Sequence, residues 1–281
     1  MSQAVDVEPE FTLPPSRRRM SPRRRARVSR FVQYGVLAVV VVGLGVATDW
    51  SNVGEQVFNL EAFRAMAPYI PRAALNTLTY TLAAFGVAFT LGLVLAMMKL
   101  SSVGLYRVLA TGYVEFFRGV PALLVVLAFA YVIPVAFQVR FDSVVVLIAL
   151  ALGMVSAAYL AETLRAGLQA VPRGQVEAAR SLGMSAGQTL RGVVVPQAFR
   201  LVLPPMTNEI VLLTKDTSLV YALGLTAGQY ELTKLGRETL NTTAVGGLTA
   251  FVVIGLVYLM ITIPLSALTR YLERRTGSKV R

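Results

Sequence analysis

Long apolar runs separated by short charged segments constrain this chain more than any other feature. They occupy residues 31–48, 74–98, 120–139, 143–164, 201–228 and 247–269 of the 281-residue sequence. A helix needs about 20 apolar residues to cross a hydrocarbon core of about 30 Å, and it satisfies its own backbone there. The expected fold is all-α: a polytopic membrane protein of about six transmembrane helices. The run at 31–48 is long for the apolar core of a signal peptide and lacks a clear A-x-A cleavage site, so it reads as an anchor. Residues 99–119 read as a short polar connection.

Charge placement sets the expected orientation. Net charge is +12, and 21 of the 27 lysines and arginines fall in residues 1–30, 99–118, 165–200 and beyond 269. Five lie in the alternate connections, and Lys215 lies inside a span. The positive-inside rule then puts both termini and the 165–200 segment in the cytoplasm. Residues 1–30 hold Pro9, Pro14, Pro15, Pro22 and SRRRMSPRRRARVSR, which reads as a disordered basic tail. Such a tail is a topology signal and a contact for anionic lipid rather than for nucleic acid. Residues 271–281 form a second basic cytoplasmic tail. The chain has no histidine and no cysteine. That removes thiolate chemistry, the usual zinc ligands and the commonest acid–base side chain; neither an enzyme nor a metal site is expected.

One segment between spans, EAARSLGMSAGQTLRGVVVP at 177–196, is polar and rich in small residues. Pro172 suits a first helical turn, and Gly183 suits a C′ stop because it takes positive φ without a Cβ clash. Ser185 and Gln188 match a capping box that starts a second helix, and Pro196 ends it. The spacing therefore predicts two short helices bent at Gly183. Glu177 offers one carboxylate on a surface that Ala178 and Ala179 leave open to close approach. A solvated loop is the plainer alternative.

The spacing EAA, three residues, Gly183, nine residues, then Val193, Val195 and Pro196 resembles the EAA signature of permease subunits of ABC importers. FFRGVPALL, AYLAETLRAGLQAVPRGQVEAARSLG, VVVPQAFRLVLPPMTNE and TKDTSL resemble one branch, the polar amino-acid permeases. The resemblance covers about residues 70–270, a five-helix permease domain with its EAA loop at 172–196. The tail and the 31–48 helix are additions to it. It implies the bacterial cytoplasmic (inner) membrane, a second permease subunit, an external substrate-binding protein and an ATPase carrying ATP and magnesium. It also implies that Gly174, Glu177, Ala178, Ala179, Gly183, Ser185 and Pro196 contact that ATPase. A need for a partner is visible independently. A phosphate-binding P-loop requires Gly-Lys-Ser/Thr, and none of Lys99, Lys215, Lys234 and Lys279 follows a glycine.

Residues 204–218, PPMTNEIVLLTKDTS, place ionisable groups inside an apolar run. Such groups are costly at membrane depth and usually face a cavity or a partner. Glu209 and Asp216 are seven residues apart and so fall within about 20° of one helical face. Asn208 and Lys215 share the adjacent face. Asp216, Thr217 and Ser218 are good N-cap residues, so a break and restart is expected there. Glu209 and Asp216 could take an amino acid's ammonium or a basic side chain, and Lys215 or helix-start amides its carboxylate. An internal Lys–carboxylate pair is the alternative. The resemblance points to this same region as a substrate site.

Weaker signals complete the reading. Asn76, Thr77, Tyr80 and Thr81 form a polar stripe that either lines a pathway or makes interhelical hydrogen bonds. Tyr159 shares a face with Glu162, and Glu162–Arg165 and Glu115–Arg118 are spaced as i,i+3 ion pairs. Gly224 and Gly228 form a G-x-x-x-G suggestive of close packing. An ion-coupled secondary amino-acid transporter using Glu209, Lys215 and Asp216 is the second functional reading, but it leaves 172–196 without a task.

Overall fold

The structure, a computed structural model, describes residues 22–243 and 246–277. Among them there are helices and turns and no strand. The chain divides into two units, residues 1–53 and 54–281.

The first unit holds α1, Pro22–Ala47. This corrects the expected tail. Its last nine residues, PRRRARVSR, belong to a helix continuous with the apolar run, because Pro22 is tolerated in a first turn and arginine is a good helix former. Residues 1–21 lie outside the described residues. Asp49 accepts from the Asn52 amide at 3.1 Å at the start of α2, Trp50–Val57.

The second unit begins with α3, Leu60–Met66, capped by the Asn59 side chain, which accepts from the Ala62 amide at 2.9 Å. Next come α4, Ile70–Leu100, and α5, Gly104–Gly119. The α5 helix replaces the expected polar connection. It forms because Ala110 and Val114, one turn apart, are buried while Arg107 and Glu115 are exposed. At Val120–Pro121 the chain turns by 103° into α6, Ala122–Leu127, a π turn at Ala128–Val132 and α7, Ile133–Phe137. The remaining helices are α8, Val144–Gln169; α9, Arg173–Ser181; α10, Ala186–Thr189; α11, Val195–Asp216; α12, Leu232–Thr242; and α13, Leu248–Gly277.

Four helical stretches are long and apolar enough to cross a membrane, and the bent pair around Pro121 brings the number to five. The α11 helix is not among them, because Arg200, Asn208, Glu209, Lys215 and Asp216 lower its hydropathy.

The second unit is organised on the crossing of α4 and α8. Ala84, Ala88, Gly92 and Ala96 recur every fourth residue on α4, and Ala149, Gly153, Ala157 and Ala161 do so on α8; all eight are buried. In lipid, where apolar side chains gain nothing by leaving one another's company, close backbone approach and its dispersion contacts hold helices together. A Cβ on Gly153 would lie 2.7 Å from the Val87 Cβ and 2.9 Å from the Ala84 carbonyl oxygen. A Cβ on Gly92 would lie 3.0 Å from the Leu160 Cβ. The close packing expected at Gly224 and Gly228 is absent. Both are exposed, and a Cβ on either would meet nothing within 4 Å, because they lie in a loop rather than on one helix face.

The polar stripe of α4 clamps the segment that leads into α12. Asn76 Nδ2 donates to the carbonyls of Gly228 and Tyr230 at 3.0 and 2.8 Å. The Tyr80 hydroxyl donates to Gln229 O at 2.8 Å, and the Leu232 amide donates to Thr77 Oγ1 at 3.2 Å. The segment ends at Glu231, which is 0% exposed and caps α12. Its carboxylate accepts from the amides of Thr233 and Lys234, both at 2.6 Å, and from the Tyr258 hydroxyl at 3.2 Å.

Two outcomes follow from this packing. Gly153→Val should lower stability by about 1–3 kcal/mol through overpacking, whereas Gly86→Ala, at a position with open space around it, should not; thermal unfolding of the purified protein in detergent compares them. Burial pushes the Glu231 carboxyl up to about 7 from an ordinary 4.5, against the hydrogen bonds from Thr233, Lys234 and Tyr258 that lower it. An acid whose folded-state pKa is raised costs stability as pH climbs from its unfolded value through its folded one. The melting temperature should therefore fall between about pH 5 and 7.5, and Glu231→Gln should flatten that fall.

Candidate functional sites

The polar segment between α8 and α11 forms a rigid exposed elbow. Pro172 is the N-cap of α9. At the other end Gly183 takes φ +83°. Its amide donates to Arg180 O at 3.0 Å and the Met184 amide donates to Ala179 O at 3.2 Å, the paired bonds of a Schellman stop. Arg180 Nη1 adds a bond to Met184 O at 2.7 Å. The next helix starts immediately, with both capping-box bonds present: Gln188 N to Ser185 Oγ at 3.3 Å and Ser185 N to Gln188 Oε1 at 2.8 Å.

Most of the elbow's polar backbone is thus satisfied internally, while its outer side chains are not. Gly174, Glu177 and Ala178 are exposed, Ala179 is buried, and Leu182 is 84% exposed. The sequence motifs do not single out Leu182; its position just before Gly183, at the tip, is the signal that could find it. Pro196 does not end a helix. From α10 the helix continues through a π turn at Leu190–Val194 into α11. The wider π turn relieves the clash and the lost bond that proline brings to a regular α-helix.

At the far end of α11, Glu209 and Asp216 open onto one cleft of about 520 Å³. The α5–α6 bend supplies Arg118, Gly119, Val120, Pro121 and Ala122, and α8 supplies Val155, Ser156 and Tyr159. Ser156, 2% exposed, lines the cleft with Glu209. The Arg118 guanidinium carbon lies 5.7 Å from the Tyr159 ring centroid, within cation–π range. The cleft thus offers two carboxylates, one guanidinium, a hydroxyl and an aromatic face.

Other candidates fall elsewhere. Asn208 and Lys215 are exposed and do not line the cleft. Nor do Thr217 and Ser218, and no helix restarts there. The chain tightens into a 3₁₀ segment at Thr217–Ala222, without a side-chain cap from Asp216, and the buried Thr217 hydroxyl donates back to Thr214 O at 2.7 Å. Thr77 and Tyr80 are spent on the clamp described above. Glu162 joins Lys99 and, at 2.7 Å, Arg165 in an ion-pair cluster on α4 and α8. Glu115 and Arg118 form no ion pair; Arg118 is committed to the cleft instead.

Residues 88–278 match the family described as binding-protein-dependent transport system inner membrane component. The probable glutamine ABC transporter permease protein GlnM of Bacillus subtilis is 36% identical over 203 residues, covering 71% of this chain and 89% of that protein. The glutamate/aspartate import permease protein GltK of Escherichia coli O6:H1 is 31% identical over 235 residues, covering 82% and 98%. A solved crystal structure of an amino acid ABC transporter with histidines superposes with a TM-score of 0.69 at 31% identity, covering 77% of this chain and 98% of that one. This chain belongs to the family of inner membrane components of binding-protein-dependent transport systems.

Proposed function

We propose that this chain is the permease subunit of an ATP-driven importer that carries a polar amino acid across the bacterial cytoplasmic membrane. The observation that carries the proposal is a continuous helical run. It starts at the capping box on Ser185, passes the π turn and ends at Asp216, so the exposed elbow and the cleft share one mechanical element. A push on the elbow is delivered to Glu209 and Asp216. The amino-acid permeases among the relatives, and the amino acid transporter of similar structure, support this reading over ion-coupled transport.

In this mechanism the elbow docks on a separate ATPase subunit, which binds ATP and magnesium. Glu177, Ala178, Leu182 and Gly183 form the contact, with Gly174, Ala179, Ser185 and Pro196 shaping it. The asymmetry of lysine and arginine supports six crossings with both termini and the elbow in the cytoplasm. A second permease subunit completes the pathway, and an external binding protein delivers the amino acid. ATP binding moves the elbows and opens the cleft outward; hydrolysis resets it.

Glu177 makes no hydrogen bond or ion pair within the described chain, so Glu177→Lys should leave insertion unchanged while reversing the charge offered to the ATPase. Gly183→Pro removes the amide that donates to Arg180 and cannot take positive φ. Both should cut ATP-dependent uptake at least tenfold at equal membrane levels. Wild-type uptake should persist when the proton gradient is collapsed with ATP maintained. Normal uptake by both variants would sink the coupling role, and loss of wild-type uptake with the gradient would sink the ATP-driven mechanism.

A further inference from the structure

Where α4 ends, the second unit carries a groove of about 470 Å³ that the coupling mechanism leaves unused. Its apolar walls are Met97 and Leu100 of α4, Leu168 of α8, and Leu190 and Val194 of the π turn. Met97, Leu100 and Leu190 are exposed. Its two polar lining residues sit at helix ends: Ser101 is the C-cap of α4, and Gln169 is the last residue of α8. A second groove of about 470 Å³ shares Met97 and Ser101 with the first and adds Leu93, Val94, Met98 and Tyr106. The end of α4 is thus a ridge between two apolar channels.

Depth and charge point to what fills them. Arg72 and Lys99 stand near opposite ends of the single helix α4, about 40 Å apart along its axis, which is the thickness of a bilayer with its headgroup regions. With Arg72 at one surface, Lys99 and Ser101 lie at the headgroup level of the other, and the apolar walls face the edge of the hydrocarbon. The lining segments and their flanks, 97–107, 162–169 and 190–194, hold Lys99, Arg107, Arg165 and Arg191 against one carboxylate, Glu162. Glu162 serves both Lys99 and Arg165, so that cluster keeps one positive charge in excess. Arg165 Nη1 also donates to Gln169 Oε1 at 2.6 Å, which brings the guanidinium to the polar end of the first groove. Arg191 follows Leu190 and is exposed, and neither it nor Arg107 joins an ion pair among the described residues. An acidic protein segment would meet the cations and leave two apolar channels empty. A neutral lipid would fill the channels and leave the cations unmet. A phospholipid of net negative charge does both: basic pockets between membrane helices hold such headgroups, and the flexible Met97 and Met98 adapt to acyl chains.

We propose that an anionic phospholipid occupies this place, its phosphate held by Lys99, Arg165 and Arg191 and its two acyl chains in the two grooves. The first groove takes walls from the α4–α8 pair and from the helical run that carries the elbow. Resting on the importer reading above, such a lipid ties the fixed pair to the element that moves. The test is photolabelling of the complex, purified with its ATPase and reconstituted in vesicles that contain phosphatidylglycerol or phosphatidylcholine bearing the same photoreactive chain. Labelled peptides are read by mass spectrometry. Phosphatidylglycerol should label residues 97–101 and 190–194 about tenfold more than phosphatidylcholine, and the preference should shrink as salt is raised. Arg191→Gln should lower phosphatidylglycerol labelling about fivefold and leave phosphatidylcholine labelling, which reports an intact groove, unchanged. Glu162→Gln frees Lys99 and Arg165 and should raise phosphatidylglycerol labelling, a gain that a purely structural cluster would not give. Leu190→Trp should block the first groove to both lipids. Equal labelling by the two lipids, or labelling indifferent to Arg191→Gln, overturns the site. Amino-acid uptake by the same vesicles separates the two readings. ATP-dependent uptake with equal labelling leaves the importer standing without the lipid site, and selective labelling without uptake leaves the lipid site standing without the importer.

Discussion

The close crossing of α4 and α8 is the contact on which the rest of the second unit depends. With Ala84, Ala88, Gly92 and Ala96 against Ala149, Gly153, Ala157 and Ala161, the two backbones meet with almost no side chain between them. Each helix then has its other faces free for specific work. On α4 the polar face holds the 228–232 segment and so fixes where α12 begins. On α8 the polar face turns Ser156 and Tyr159 toward α11. A similar close approach continues down α8, where Gly167 faces Val202 and Ala198 of α11. The element bearing Glu209 and Asp216 is thus seated against the same central helix that lines the cleft.

Rigidity and freedom are separated along the chain between α8 and α11. The elbow is closed by a Schellman stop, a capping box and the Arg180–Met184 bond, so little internal play would absorb an applied force. Beyond it lie the π turn, Pro196 and the Pro204–Pro205 pair. At each the regular i→i−4 ladder is interrupted, and such interruptions are where helices bend. A stiff elbow is thus followed by a helix with defined points of flexure. A break at Pro196 would separate the elbow from the helix that bears Glu209 and Asp216.

What is legible in the sequence is local or periodic. Gly183, Ser185 and Gln188 announce their caps because the chemistry lies within a few residues. Glu209 and Asp216 share a face because helical periodicity alone requires it. What is not legible is tertiary. Arg118 belongs to the cleft through a 103° bend at Val120–Pro121 and the placement of Tyr159, neither of which follows from an i,i+3 spacing with Glu115. Pro196 misleads because a π turn has no sequence signature, and proline's penalty is reckoned against a regular helix. Gly224 and Gly228 suggest a close packing that belongs instead to α4 and α8, where alanine does most of the work associated with glycine. The stripe at Asn76, Thr77 and Tyr80 is recognisably polar, yet its target, a run of loop carbonyls about 150 residues away, cannot be read from one helix.

Buried charge gives the clearest separation of structural from functional groups. Glu231 is the most enclosed carboxylate, and on burial alone it would be the first functional candidate. Its acceptors are consumed by the start of α12 and by Tyr258, so a ligand would have to break a helix cap to use it. Glu162 is likewise held between two cations. Glu209 and Asp216 are only half-buried, Asp216 has the neighbouring Lys215 as a counter-charge, and Arg118 is exposed beside the Tyr159 ring. Hydrogen bonding thus separates the carboxylates consumed by the fold from the half-buried pair, Glu209 and Asp216, that opens onto the cleft.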